Sequence, residues 1–151
     1  MVRIMKDVLS TAALMGGAYY LYQCTNKAKP DRIRDLTQHW IDTVCTHDPD
    51  AVVDLYASEG VLIGTVAKRI KIGRGQIKTY FDTFLQKPQL CGVIEEDHVQ
   101  SFCGWAIHSG VYTFSWVEKG VPTNLAARFS FVWKHLPTGW KIENHHSSAV
   151  P

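Results

Sequence analysis

Apolar positions along this chain change period halfway through. Between Pro30 and Leu85 they recur every three or four residues, as on one face of a helix. Ile33, Leu36, Thr37, Trp40 and Val44 form the first such stripe, opened by Pro30-Asp31 and closed near His47. Asp48-Pro49-Asp50 breaks it and caps a second, shorter helix to about Tyr56, presenting Val52, Val53 and Tyr56 inward. Ile77, Tyr80, Phe81 and Phe84 mark a third helix over Gln76 to Leu85, ended by Pro88. Between the second and third helices, Val61-Leu62-Ile63-Gly64-Thr65 reads as a strand with Val61, Ile63 and Thr65 on one side. Lys68 to Lys71 follows as a basic loop or short edge strand.

Beyond Pro88 the period is two. Val93 to Val99, Phe102 to Ile107, Gly110 to Val117, Leu125 to His135 and Trp140 to Ser148 read as strands. Gly120-Val121-Pro122 with Asn124, and Leu136-Pro137-Thr138-Gly139, are hairpin signals. Helices first and an antiparallel meander afterwards predict an α+β fold. The expected form is a cone-shaped half-barrel, a curved sheet packed against three helices, whose mouth is a natural small-molecule pocket. Trp116, Trp133 and the phenylalanines look too many for one interior, so the outer sheet face is expected to build a homodimer.

Length fits this picture: 151 residues allow one domain, residues 30–151, plus an appendage, residues 1–29. In that appendage Arg3 and Lys6 precede an apolar run over residues 8–22, a little short of the about 20 apolar residues of a comfortable span. The expectation is a signal sequence or membrane anchor, hence an exported or membrane-tethered domain; an amphipathic N-terminal helix is the alternative. Apolar residues make up 46% and charged ones 20%, enough for an ordinary core. A formal net charge of +2, without basic–aromatic clusters, gives no reason to expect nucleic acid. Cys45 falls on a helix, Cys91 before a strand and Cys103 inside one, which predicts buried free thiols.

The last strand carries the candidate chemistry. Trp140 and Ile142 alternate with Lys141 and Glu143, and continuing the alternation puts Asn144, His146 and Ser148 on the buried face. Polar groups there need partners, water or a ligand. A bulge near the strand end would turn His145 and Ser147 inward instead. Because His145 and His146 point to opposite faces, and His39, His47, His98, His108 and His135 lack ligand spacing, no metal or other cofactor is expected. Thr65 and Tyr80 could equally be a strand former and a core phenol. Arg128, beside Ser130 and Val132, would bind an anion if it points inward and is a surface charge if it does not.

These stretches resemble a known family. Leu62-Ile63-Gly64-Thr65, Gln76 to Leu85, Ala127 to Lys134 and the terminal His145-His146-Ser147-Ser148-Ala149-Val150-Pro151 together resemble the iota-class carbonic anhydrases of algae and bacteria. Those belong to the nuclear-transport-factor-2-like (SnoaL-like) superfamily, with polyketide cyclases and the association domain of calcium/calmodulin-dependent kinase II. The resemblance covers residues 30–151 and implies metal-free, reversible hydration of CO2 to bicarbonate. It implies catalytic roles for Thr65, Tyr80 and one His/Ser pair of His145, His146, Ser147 and Ser148; Arg128, Asn144 and Tyr112 are the candidate substrate-binding residues beside them. Asn144 stands where members often carry a third histidine, Val150 where methionine is common, and Lys68, Arg69 and Lys71 make the segment after Thr65 unusually basic. A non-catalytic ligand-binding or oligomerisation domain is the competing class. A cyclase or isomerase is disfavoured because no Asp–His pair points clearly inward.

Overall fold

The computed structural model describes residues 27–151. The segment expected to tether the chain, residues 8–22, lies outside them. Among the described residues no helix is long and apolar enough to cross a membrane.

Helix α1 spans Pro30–Cys45, with proline in its first turn and Ile33, Thr37, Trp40, Ile41 and Val44 buried. Asp48 caps α2, Pro49–Asp54, its carboxylate accepting from the amides of Asp50 and Ala51 at 3.0 and 3.2 Å. Strand β1 then runs over Tyr56–Ile63, earlier than its apolar pattern suggests. Its start is masked because the register against β6 shifts between Tyr56 and Val61, so period two is lost across Ser58-Glu59-Gly60. A two-residue strand β2, Lys71–Ile72, precedes α3, Gly73–Phe84.

Four long strands follow: β3 Cys91–Phe102, β4 Trp105–Glu118, β5 Val121–Leu136 and β6 Gly139–Ala149. The two segments predicted between Phe102 and Val117 are one strand, and Cys103-Gly104 is the turn before it rather than strand interior. Lys119 and Gly120, with φ of 49° and 81°, make the next hairpin, as a two-residue turn requires. The sheet order is β2-β1-β6-β5-β4-β3. All pairs are antiparallel except β1 with β6, which run parallel because the meander ends beside the strand that the helices separated from it.

The result is α+β: a curved, unclosed six-stranded sheet with α1 packed on β3 and β4 and α3 on β1. Trp40 is the hub of the interior, with Phe131, Phe81, Tyr112 and Phe114 at centroid distances of 5.0, 6.3, 6.3 and 6.3 Å. Trp133, Phe129 and Phe131 are buried in this same interior, which therefore holds the aromatics once expected to need a covered outer face; Trp116 is half-buried and Phe102 exposed.

The thiol expectation is overturned. Cys45 and Cys91 form a disulfide across 46 residues, with Cα atoms 4.6 Å apart, and none of the described cysteines is free. The end of α1 sits on the start of β3, so the two positions meet only in the fold. A cross-link of this span adds about 2–4 kcal/mol.

Candidate functional site

A one-residue bulge decides which terminal side chains face the interior. On β6, Ile142 pairs with Trp133, yet Asn144 pairs with Val132, so Glu143 is the extra residue. Parity changes there. His145 (2% exposed) and Ser147 (4%) point into the cone, and His146 is exposed. Asn144, His146 and Ser148 thus lie on the outer face, contrary to simple alternation from Trp140. Arg128 is also outward: it is exposed between buried Ala127 and Phe129 and donates from Nη2 to the Ala149 carbonyl at 3.1 Å.

The inward residues form one connected chain. Tyr112 donates its hydroxyl to Ser147 Oγ at 2.6 Å, and Ser147 is hydrogen-bonded to Thr65 Oγ1. Thr65 is not on β1; it sits in the turn closed by Ala67 N donating to Gly64 O at 2.9 Å, and the turn aims its hydroxyl inward. At the end of β1 Leu62 is buried and Ile63 is exposed, the reverse of the expected face. His145 lies 2.9 Å from the Tyr56 hydroxyl through Nδ1 and 3.4 Å from the Tyr112 hydroxyl through Nε2. Because Tyr112 already donates to Ser147, its oxygen is left to accept. That calls for a proton on Nε2 and none on Nδ1, where the Tyr56 hydroxyl donates.

Aromatic packing holds the imidazole in place. Its ring stacks on Phe131 at 3.9 Å and 17° and meets Trp40 edge-on at 4.9 Å. Burial, reinforced by His146 next to it, pushes the His145 pKa down to about 3, so this ring is neutral at pH 7. Burial also raises the Tyr112 phenol, opposed by its bond to Ser147, and raises Tyr80, opposed by the Val66 backbone. All three groups stay uncharged near neutrality.

A pH dependence follows with a definite sign. Unfolded His145 takes up a proton below about 6.5, whereas the folded ring does not until about 3. Stability is therefore full above the unfolded value and lost as pH falls, at up to about 1.4 kcal/mol per unit. Urea unfolding at pH 7 and pH 5 should give about 2 kcal/mol less stability at pH 5 from this group, and His145→Gln should flatten the slope. An unchanged slope in that variant refutes the assignment.

Tyr80 completes the site from α3. Its ring stacks on Phe84 at 5.5 Å and lies against Gly64, where an added Cβ would fall 2.5–2.8 Å from ring atoms. Only glycine lets the phenol approach so closely. Together Trp40, Thr65, Tyr80, Tyr112, His145 and Ser147 surround a chamber with about 10 Å³ open to water, room for about one water molecule. Tyr80 and Phe84 also line a wider vestibule of about 820 Å³ outside it.

Of the sequence candidates, then, Thr65, Tyr80, Tyr112, His145 and Ser147 converge, and Asn144, Arg128, His146 and Ser148 do not. Tyr56 was missed as a site residue. Helical spacing puts it inward at the end of the second helix as a core position, whereas it begins a strand broken by a bulge. An Asp–His pair does exist, but elsewhere: Asp97 Oδ2 lies 3.1 Å from buried His108 Nε2 and accepts from Arg34 Nε at 2.7 Å. Burial lowers the His108 pKa, and His108 Nδ1 meets Thr37 Oγ1 at 2.7 Å. This network joins α1 to β3 and β4 away from the chamber. Among the described residues no three His, Cys, Asp or Glu side chains cluster as metal ligands would.

Comparison with known proteins places this architecture. The family model of the calcium/calmodulin dependent protein kinase II association domain matches residues 29–151. A crystal structure from Xanthomonas campestris, named provisionally for that same domain, is 37% identical, with a TM-score of 0.77 over 82% of this chain and 89% of its own. A nuclear transport factor 2-like superfamily protein from Salmonella enterica superposes with a TM-score of 0.72 at 20% identity, over 80% of this chain and 90% of its own. A ketosteroid isomerase-like protein from Erwinia carotovora atroseptica gives 0.67 at 19%, over 79% and 94%; at such identities the likeness is one of fold. No curated protein matches. The chain belongs to the calcium/calmodulin-dependent protein kinase II association domain family, on a nuclear-transport-factor-2-like fold.

Proposed function

We propose that the chamber hydrates CO2 reversibly, making this chain a carbonic anhydrase of the iota-class type. The observation that carries the reading is the convergence of Thr65, Tyr112, Ser147 and neutral His145 on one water-sized space. The resemblance of the terminal His-His-Ser-Ser stretch supports it. The relatives' fold is compatible, since its members include proteins named as a dehydratase and as isomerase-like.

In this reading the apolar walls, Trp40, Leu62, Phe81 and Phe114, receive CO2, and the hydroxyls hold the attacking water and then the bicarbonate oxygens. Oxygen–carbon bond formation releases one proton. His145 does not store it, because burial disfavours the imidazolium. The ring instead fixes Tyr112, and through it Ser147, by hydrogen bonding. The proton leaves toward solvent on the Tyr80 side. The chamber has room for about one water molecule, so holding CO2 beside the attacking water calls for the Tyr80 ring to shift toward the vestibule.

Stopped-flow CO2 hydration by purified, chelator-treated protein tests this directly. A rate indistinguishable from buffer overturns it. The competing reading, a non-catalytic assembly or ligand-binding domain, is favoured by the family's name alone. Two further parts of the proposal concern surroundings. The Cys45–Cys91 disulfide suits export to an oxidising compartment. Dimerisation would use the outer sheet face, where Ile107, Val111 and Val132 are only half-buried; a monomeric mass by light scattering at micromolar concentration overturns it.

A further inference from the structure

The chamber and the vestibule differ sharply in charge. The chamber lining contains hydroxyls, aromatic rings and a neutral imidazole, with no cation. Five cations line the vestibule: Lys68, Arg69, Lys71, Lys87 and Lys119. Its one carboxylate, Glu118, is taken up by Lys87 at 3.9 Å and by Trp116 Nε1 at 2.8 Å. Five cations around one vestibule are a concentration of charge in a chain whose formal net charge is only +2. Lys68, Arg69 and Lys71 come from the turn and edge strand that immediately follow Thr65, so the residue inside and the cations outside are fixed by the same short segment.

An anion made in the chamber meets hydroxyl donors there and a gathering of positive charge beyond Tyr80 and Phe84. CO2, being neutral, gains nothing from that field. We propose that the vestibule is a second, outer anion site through which bicarbonate leaves and enters, the chamber being reserved for the neutral reactant and water. The anion site stands on the vestibule alone, whereas its place on the route rests on the carbonic anhydrase reading.

The test separates the two. The full chain is compared with Lys68→Gln/Arg69→Gln/Lys71→Gln and with Lys27→Gln/Lys29→Gln/Arg32→Gln, which removes the same charge from exposed residues outside the vestibule. The probe is chloride, observed by the broadening of its ³⁵Cl resonance at low ionic strength. Broadening should fall several-fold in the first variant and stay near the parent value in the second. In the dehydration direction, the KM for bicarbonate should rise roughly five- to tenfold in the first variant without loss of kcat, and should rise in the parent as salt screens the site. Equal broadening in both variants overturns the anion site. Lost broadening with an unchanged KM overturns the route. A parent that binds chloride but turns over no bicarbonate overturns the carbonic anhydrase reading and the route with it, while the chloride comparison still decides the site.

Discussion

Ser147→Ala should lower CO2 hydration at least about a hundredfold, whereas Ser148→Ala should leave it within about twofold. Ser147 accepts from Tyr112 and is bonded to Thr65, so its loss cuts the hydroxyl chain in the middle. Removing one preorganised donor from a water-poor site costs about 10²–10³ in rate. Ser148 faces outward beside Arg128 and touches none of the chamber residues. Ser147→Ala also leaves the buried Tyr112 hydroxyl without its acceptor, at about 1–3 kcal/mol, so urea unfolding run beside the kinetics separates lost stability from lost catalysis. Equal loss in the two variants would mean that the bulge at Glu143 does not set the face; no loss in either would remove Ser147 from the mechanism.

The largest stability effect is expected at Trp40. Trp40→Ala should cost about 3–5 kcal/mol, because a large buried ring leaves a cavity that its rigid neighbours cannot fill. Those neighbours are Phe81, Tyr112, Phe114, Phe131 and His145. The indole is 1% exposed among these rings, so the loss is chiefly one of packing. The same substitution admits water beside His145 and should lift its pKa back toward the ordinary range, weakening the pH slope of stability. Urea midpoints at pH 7 and pH 5 measure both effects. A loss under about 1 kcal/mol would show that Trp40 is not the hub.

Helices α1 and α3 were legible because their apolar stripes and proline boundaries agree with packing on one face. The hairpins at Gly120 and Pro137 were legible from turn chemistry. What period two cannot reveal is where it breaks. Glu143 on β6 and the stretch between Tyr56 and Val61 on β1 each shift parity. That misplaced Asn144, His146 and Ser148 and left Tyr56 read as the end of a helix. Thr65 does line the chamber, but a turn rather than a strand pleat delivers its hydroxyl. The disulfide was illegible for another reason: 46 residues separate its halves, and only the docking of α1 on β3 joins them.

The doubled terminal residues put the bulge in a different light. His145-His146 and Ser147-Ser148 repeat each side-chain type once per face, so the strand spells the same inward chemistry in either reading frame. Loss of the bulge with Glu143 taken into the ladder would exchange one imidazole–hydroxyl pair for another rather than for something inert. Such a sequence tolerates a slip of one residue with its functional groups intact, which a sequence carrying single copies would not.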